Sequence, residues 1–269
     1  MLDIRKNKIG MNLHIDTHSN KILKSLSEKL LQNNSLEELY RLYISMGLDI
    51  KIGAEIEFYN TKNQKIQNYH VTAERGKNQY EISIDPESPN DSILKINDCI
   101  NMLKNKEGIL LDPKPFEHDY GNSIQINISV WDKRGNNIFN NQNILEKSCD
   151  MLCSYMLDSF LIFAPIEECY NRFEAIFMAP VNVSKGHNNR TTAIRIPAIG
   201  EKRIEYRLGA YPSDPMLMIY ILLKQLAEYL IYKKESKKYE IIFGNALDGQ
   251  YDLKSFPKNL KEAEEIFIL

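Results

Sequence analysis

Gly53-Ala54-Glu55-Ile56-Glu57-Phe58 alternates small or apolar residues with acids. A strand repeats its side-chain direction every second residue, so Glu55 and Glu57 share one face and Ala54, Ile56 and Phe58 the other. Three more stretches follow the same rule: Ser123-Ile124-Gln125-Ile126-Asn127-Ile128-Ser129, Thr192-Ala193-Ile194-Arg195-Ile196 and Arg203-Ile204-Glu205-Tyr206-Arg207. Gln125, Asn127 and Ser129 point one way, as do Arg203, Glu205 and Arg207. An ordinary half-buried strand turns a mixed polar face to water. Here the polar faces sort into acids, amides and guanidiniums, as a site for cations and anions requires.

The rest of the chain is organised around these strands. Residues Ser19 to Gln32 read as an amphipathic helix carrying Ile22, Leu23, Leu26, Leu30 and Leu31 on one side. A second helix is expected from Ser35 to Met46, with Ser35 and Glu38 as a capping box and Gly47 as its stop. Strands are expected at Asp49 to Tyr59, Ile66 to Glu74 and Gln79 to Asp85, then a helix from Asn90 to Asn105 and a short strand at Ile109 to Asp112. A strand over Ser123 to Trp131 leads to one long helix, Asn143 to Phe163. Ala179 to Asn189 reads as an irregular loop. Thr191 to Pro197 and Arg203 to Leu208 read as a hairpin, followed by helices at Asp214 to Lys234 and Asn259 to Ile266. The order lacks a βαβ rhythm and the turns between strands are short. That predicts an α+β domain, an antiparallel sheet with helices packed on one face. Residues 1–269 are expected to form one domain, with 1–48 as a helical N-terminal segment.

Composition narrows the function classes. The 269-residue chain has a formal net charge of -2 and scattered basic residues, so nothing predicts nucleic-acid binding. The longest apolar stretches, Cys149 to Ile166 and Met216 to Tyr232, are interrupted by Asp158 and by Lys224, Gln225 and Glu228; both read as core helices rather than membrane spans. Met1-Leu2-Asp3-Ile4-Arg5-Lys6 is not followed by an apolar signal segment, which makes a cytoplasmic location the default. The cysteines, Cys99, Cys149, Cys153 and Cys169, lack the ligand spacing of a zinc site and read as buried thiols.

The chemistry lies in the charged strands. Glu55, Glu57, Glu74, Glu81 and Glu205 would repel one another if gathered, and burial would raise their pKa values. Divalent cations relieve that cost, and hard ions such as Mg²⁺ or Mn²⁺ take carboxylate oxygens. Arg172, Arg190, Arg195, Arg203 and Arg207 supply forks that match carboxylates and phosphates. Singly these motifs are weak: many hairpins carry Gly-x-Glu-x-Glu by chance, and Arg-x-Glu-x-Arg is more often a solvated ion-pair ladder. Together, in this order, they fit the stabilisation of a transferring phosphoryl group.

In that order they also resemble the catalytic domain of the glutamine synthetase family, which includes the γ-glutamyl-amine ligases. Gly53 to Phe58 is similar to the family's GxExEF, and Glu74-Arg75-Gly76-Lys77-Asn78-Gln79-Tyr80-Glu81 to its E-x-G-P-G-Q-x-E. Pro113-Lys114-Pro115 and Gly121 to Ser129 resemble PKP and GSGxHxHxS. Ala179-Pro180-Val181-Asn182, Asn189 to Pro197 and Arg203 to Arg207 resemble APVN, NRSAxIRIP and RIExR, and Ser213 to Leu217 resembles ANPYL. The resemblance runs from about Leu36 to Leu269 and is most specific in its last third.

The resemblance implies a curved antiparallel sheet with helices on its outer face. It implies a ligase that activates glutamate with ATP as γ-glutamyl phosphate for attack by ammonia or an amine. Carried over, Glu57, Glu74 and Glu81 would hold one of two Mg²⁺ or Mn²⁺ ions and Glu55 and Glu205 the other. Arg172, Gly121 and Arg190 would hold the substrate carboxylate. Arg195, Arg203 and Arg207, with Asn127 and Ser129, would meet nucleotide phosphates, and Arg190, Arg195 and Arg207 would act on the transferring group. Gln125 stands where the family has a metal-binding histidine and would be an oxygen ligand; Asn127 stands at the next histidine. Met178 stands where a flap glutamate shields the intermediate and helps deprotonate ammonium. The family's N-terminal β-grasp domain is expected to be absent, which leaves a homo-oligomer or a partner subunit open. The alternative function is a module that binds a magnesium nucleotide or a carboxylate and has lost amide formation.

Overall fold

The computed structural model describes residues 18–174, 176 and 178–268. Two helices, α1 (His18–Gln32) and α2 (Ser35–Ser45), lead into β1 (Leu48–Asn60). Then come β2 (Val71–Ala73), β3 (Gln79–Glu87), α3 (Pro89–Lys104), β4 (Ile109–Leu110) and β5 (Ile124–Asp132). The second half holds α4 (Gln142–Tyr155), α5 (Phe160–Phe163), β6 (Lys185–His187), β7 (Ile194–Ile196), β8 (Ile204–Gly209), α6 (Pro215–Leu230) and α7 (Leu260–Ile266). The N-terminal part of the expected helical segment, residues 1–17, lies outside the described residues.

The strands form one sheet in the order β2-β3-β1-β5-β8-β7-β6, with β4 paired to the end of β1. Every pairing is antiparallel except β6 with β7. The period-two pattern decides the layers. Ile50, Ile52, Ile56 and Phe58 of β1, Ile124, Ile126, Ile128 and Val130 of β5, and Ile204, Tyr206 and Leu208 of β8 are buried on one side. They join a continuous core with α2, α3, α4, α5 and α6. Each such side chain contributes about 1.5–3 kcal/mol of burial. Hydrogen bonds tie the helices down as well: the Ser92 hydroxyl donates to the Ile52 carbonyl (2.6 Å) and Tyr43 to that of Leu223 (2.7 Å). The opposite face of the sheet is left for charged groups.

Several local expectations need correction. The capping box at Ser35 does not form; α2 starts at Ser35, and the preceding Asn34 is left-handed at φ 53 with no side-chain cap. Only two residues separate α1 from α2, and asparagine tolerates the conformation that reverses the chain there. Gly47, at φ 80, does stop α2. The strand expected from Ile66 shrinks to Val71–Ala73. The single long helix is two. Backbone bonds change to i−3 spacing at Met156 and Phe160, and the Ser159 hydroxyl donates to the Tyr155 carbonyl (2.9 Å) while accepting from Gln225 (3.0 Å). A hydroxyl that competes for helix carbonyls favours such a break. The stretch expected to be an irregular loop contains β6, which makes the sheet mixed. All four cysteines are buried thiols, and burial pushes Cys99, Cys149 and Cys169 up to about 12. Among the described residues no helix is long and apolar enough to cross a membrane.

Candidate active site

Strand register brings the charged residues into rows across the sheet. Glu57 of β1 lies opposite Glu81 of β3, and Glu55 opposite Gln125 of β5. Asn127 lies between Gly53 and Glu205, and Glu205 lies opposite Arg195 of β7. Side chains on one face of an antiparallel pair stand about 5 Å apart at such positions. Residues far apart in sequence therefore crowd one face, and the crowding is electrostatically expensive. Burial first, then the carboxylates of Glu55, Glu57, Glu74 and Glu205, push Glu81 up to about 9. Glu57 is raised by burial and by Glu74, against the hydrogen bonds from Ser123. Glu55 is raised by burial and Glu205, against Asn127 and Arg203.

Hydrogen bonds distribute the rest of this charge. Glu57 accepts from the Ser123 backbone N–H (2.7 Å) and from Gln125 Nε2 (3.1 Å). Glu55 accepts from Asn127 Nδ2 (3.2 Å). Glu205, almost fully buried, takes Arg195 at 2.7 Å and Arg207 at 3.3 Å. Arg203 Nε donates to Asn127 Oδ1 (3.0 Å), and Arg207 Nε to Gln125 Oε1 (3.4 Å). The Arg207 guanidinium also donates to the carbonyls of Arg190 and Thr192.

A solvent-open cleft lies on this face. Glu57, Glu74, Gly121, Arg172, Arg190 and Arg207 line it, with Met178, Ala179 and Pro180 on one wall. Arg172 is 3% exposed; one guanidinium nitrogen donates to the Leu208 carbonyl (2.6 Å) and its Nε has no partner. Burial pulls its pKa down to about 10 against the attraction of Glu57, so it stays a cation at neutral pH. Gly121 makes that placement feasible: a Cβ there would sit 2.5 Å from Arg172 Cγ and 2.7 Å from the Pro113 carbonyl. Arg190 is exposed at the rim, its backbone held by the neighbouring Asn189, which donates to the carbonyls of Ile242 (3.2 Å) and Gly244 (2.7 Å).

The remaining candidates lie off this cleft. Glu55, Glu81, Glu205, Gln125, Asn127, Arg195 and Arg203 occupy neighbouring positions on the same sheet face. The Ser129 hydroxyl accepts from Trp131 Nε1 (3.0 Å), further along β5. Among the described residues no group of three or more His, Cys, Asp or Glu side chains is set to enclose a metal ion. The donors are nonetheless all oxygens, and their mutual repulsion is of the kind a divalent cation removes.

The sequence profile of the family described as glutamine synthetase, catalytic domain, matches residues 60–267. The chain belongs to the glutamine synthetase catalytic-domain family. Among similar proteins are the γ-glutamylputrescine synthetase PuuA of Escherichia coli K12, 28% identical over 197 residues, and a glutamine synthetase of Methanococcus voltae, 27% identical over 191. These matches cover 67% and 65% of this chain but 40% and 42% of the relatives, so the chain matches about two fifths of their length. The fold is similar to the solved structures of a GmaS/ADP complex (TM-score 0.73, 18% identity) and of apo GmaS (0.71, 19%). Both alignments cover 86% of this chain and 66% of the other. The α+β class and the family resemblance are thus shown.

Within this glutamine synthetase fold, one contributor to the site had no role in the sequence reading. Gln79 Nε2 donates to the Gly121 carbonyl (3.0 Å) and to Asn122 Oδ1 (3.1 Å), and its Oε1 accepts from the Gly76 N–H (3.0 Å). It ties the loop carrying Glu74 to the loop carrying Gly121. Its position inside the acidic Glu74 to Glu81 stretch was the available signal.

Proposed function

We propose that this chain carries the catalytic domain of an ATP- and divalent-cation-dependent ligase that joins a carboxylate, glutamate, to ammonia or an amine. One observation carries the reading: in a member of this family, acids from β1, β3, β8 and the loop after β2 meet arginines from several segments on one sheet face beside one cleft. Glu57, Glu74 and Glu81 would hold one cation, with Gln125 beside them, and Glu55 and Glu205 the other. Bound there, the ions would neutralise the carboxylates and the phosphate oxygens that approach them.

The chain's own residues supply the rest. Arg172, poised behind Gly121 with an unused Nε, binds and orients the carboxylate of the substrate. Arg190 at the rim, Arg195 on β7, Arg203 just before β8 and Arg207 on β8 hold the phosphates, with Asn127 and Ser129 on β5. A carboxylate oxygen of glutamate attacks the terminal phosphorus of ATP and ADP leaves. The amine nitrogen then attacks the acyl carbon, phosphate leaves, and the nitrogen gives up a proton. Fixed guanidiniums around the transferring group stabilise charge without reorganisation.

A second reading, a module that holds a magnesium nucleotide or a carboxylate without forming the amide, is favoured by Met178. It lies on the cleft wall at φ 58, and a thioether cannot take a proton from an attacking amine. Calorimetric titration with Mg-ATP and with glutamate tests both readings: the ligase and a nucleotide-binding module require heat with Mg-ATP that disappears in Glu57→Ala, and a carboxylate-binding module gives heat with glutamate alone. Single-turnover phosphate release with glutamate then separates them. The ligase releases phosphate faster when a suitable amine is added; the binder does not.

A further inference from the structure

Two chains of hydrogen bonds cross the sheet side by side, each linking a carboxylate to a guanidinium through an uncharged amide. Glu57 accepts from Gln125, which accepts from Arg207; Glu55 accepts from Asn127, which accepts from Arg203. Both amides bypass the residue directly opposite on β1 and reach the carboxylate one pair further along. The amide orientation follows from chemistry. A carboxylate only accepts and a guanidinium only donates, so each amide must turn its nitrogen to the glutamate and its oxygen to the arginine.

That orientation is the wrong one for a cation. A metal ion on Glu55 Oε1 competes with Asn127 Nδ2 for that oxygen, and it repels the positive edge of the amide. Turned over, Asn127 offers its oxygen to the ion but sets an NH₂ group against Arg203 Nε, donor against donor. Arg203 Nε has Asn127 as its partner, and among the described residues the other bonds of this side chain reach only backbone carbonyls, those of Ile199 (3.3 Å) and Glu201 (3.5 Å). The second chain is less decisive, because Arg207 also touches Glu205 directly and would sense a cation there without Gln125.

We propose that Asn127 is a positioning residue that couples cation capture at Glu55 to the release of Arg203, so that this arginine becomes free for phosphate only when a cation is in place. The inference rests on the cation-dependent ligase reading. It gives the amide at this position a role that does not need the proton chemistry of a histidine.

The test uses the full chain carrying isotopically labelled arginine, with Mg²⁺ as the only addition. Nε–H signals are assigned through Arg203→Lys and Arg207→Lys, and Mg²⁺ binding is followed in parallel by calorimetry. In the wild type, Mg²⁺ should displace the Arg203 signal toward the position of a guanidinium without a side-chain acceptor. In Asn127→Leu that displacement should be lost, because the signal starts at the free position, while Mg²⁺ still displaces Arg207. Asn127→Ala carries the same expectation should the leucine variant fail to fold. Mg²⁺ binding with Arg203 unmoved in the wild type, or moved equally in the Asn127 variants, overturns the coupling alone. Absence of Mg²⁺ binding overturns the coupling and the ligase reading together.

Discussion

Replacing Glu81 by glutamine should make the protein more stable in the absence of divalent cations. Glu81 faces Glu57 across the β1–β3 pair, and burial with four neighbouring carboxylates pushes it from 4.5 up to about 9. The folded state therefore keeps a proton on Glu81 that the unfolded chain gives up. A group raised on folding contributes stability that is complete below its unfolded pKa and is lost as pH rises through its folded one. The loss thus begins near 4.5 and continues to about 9. At about pH 7.5, keeping that proton costs about 4 kcal/mol, at about 1.4 kcal/mol per pH unit. Solvent at the partly exposed edge of Glu81 screens part of the repulsion, which places the expected gain at about 1–4 kcal/mol. Glutamine mimics the protonated acid and escapes the cost. Urea denaturation with EDTA should show Glu81→Gln more stable than wild type by that amount, with the gap closing below about pH 4.5. Millimolar Mg²⁺ should then stabilise the wild type more than the variant. A variant no more stable than wild type across this range, or an equal gain from Mg²⁺ in both, would refute the reasoning.

Other perturbations probe separate parts of the account. Gly121→Ala puts a Cβ 2.5 Å from Arg172 Cγ; overpacking of this kind costs about 1–3 kcal/mol, and glutamate binding measured by calorimetry should weaken at least about tenfold, equivalent to about 1.4 kcal/mol. Gln125→His should strengthen Mn²⁺ binding, since imidazole suits that ion better than an amide whose nitrogen faces Glu57; unchanged affinity would mean that position 125 does not face a cation. Lys185→Met leaves Asp150, bonded to it at 2.6 Å, without its buried cation. The cost in a denaturant melt should be about 3–5 kcal/mol, and Asp150→Leu in the same chain should recover part of it.

The period-two strands were legible because each of them buries one face and charges the other. Alternation in β1, β5 and β8 fixed which side chains share a surface, and the charged surface proved to be one face of one sheet. Pairing across that face was not legible. Arg195 could be assigned to phosphates, but its bond to Glu205 depends on the register between β7 and β8, which no single stretch contains. Lys185 is the clearest miss. It reads as a loop lysine, yet it is fully buried because Asp150 on α4 and the carbonyl of Glu146 receive its ammonium. That contact draws residues 185–187 into the sheet edge as β6. Ser35 and Ser159 fail in the opposite way. Each fits a local rule, a cap at Ser35 and a helix interior at Ser159, that the surrounding turn or packing overrides.

The central claim is that acids from separate strands converge to bind divalent cations. Anomalous diffraction from crystals soaked in Mn²⁺ tests it most directly, because it locates the ion without reference to turnover. The account predicts Mn²⁺ peaks among Glu57, Glu74 and Glu81 and between Glu55 and Glu205, the former lost in Glu57→Ala. A map without peaks on this face, at Mn²⁺ concentrations that stabilise the protein against denaturation, would contradict it.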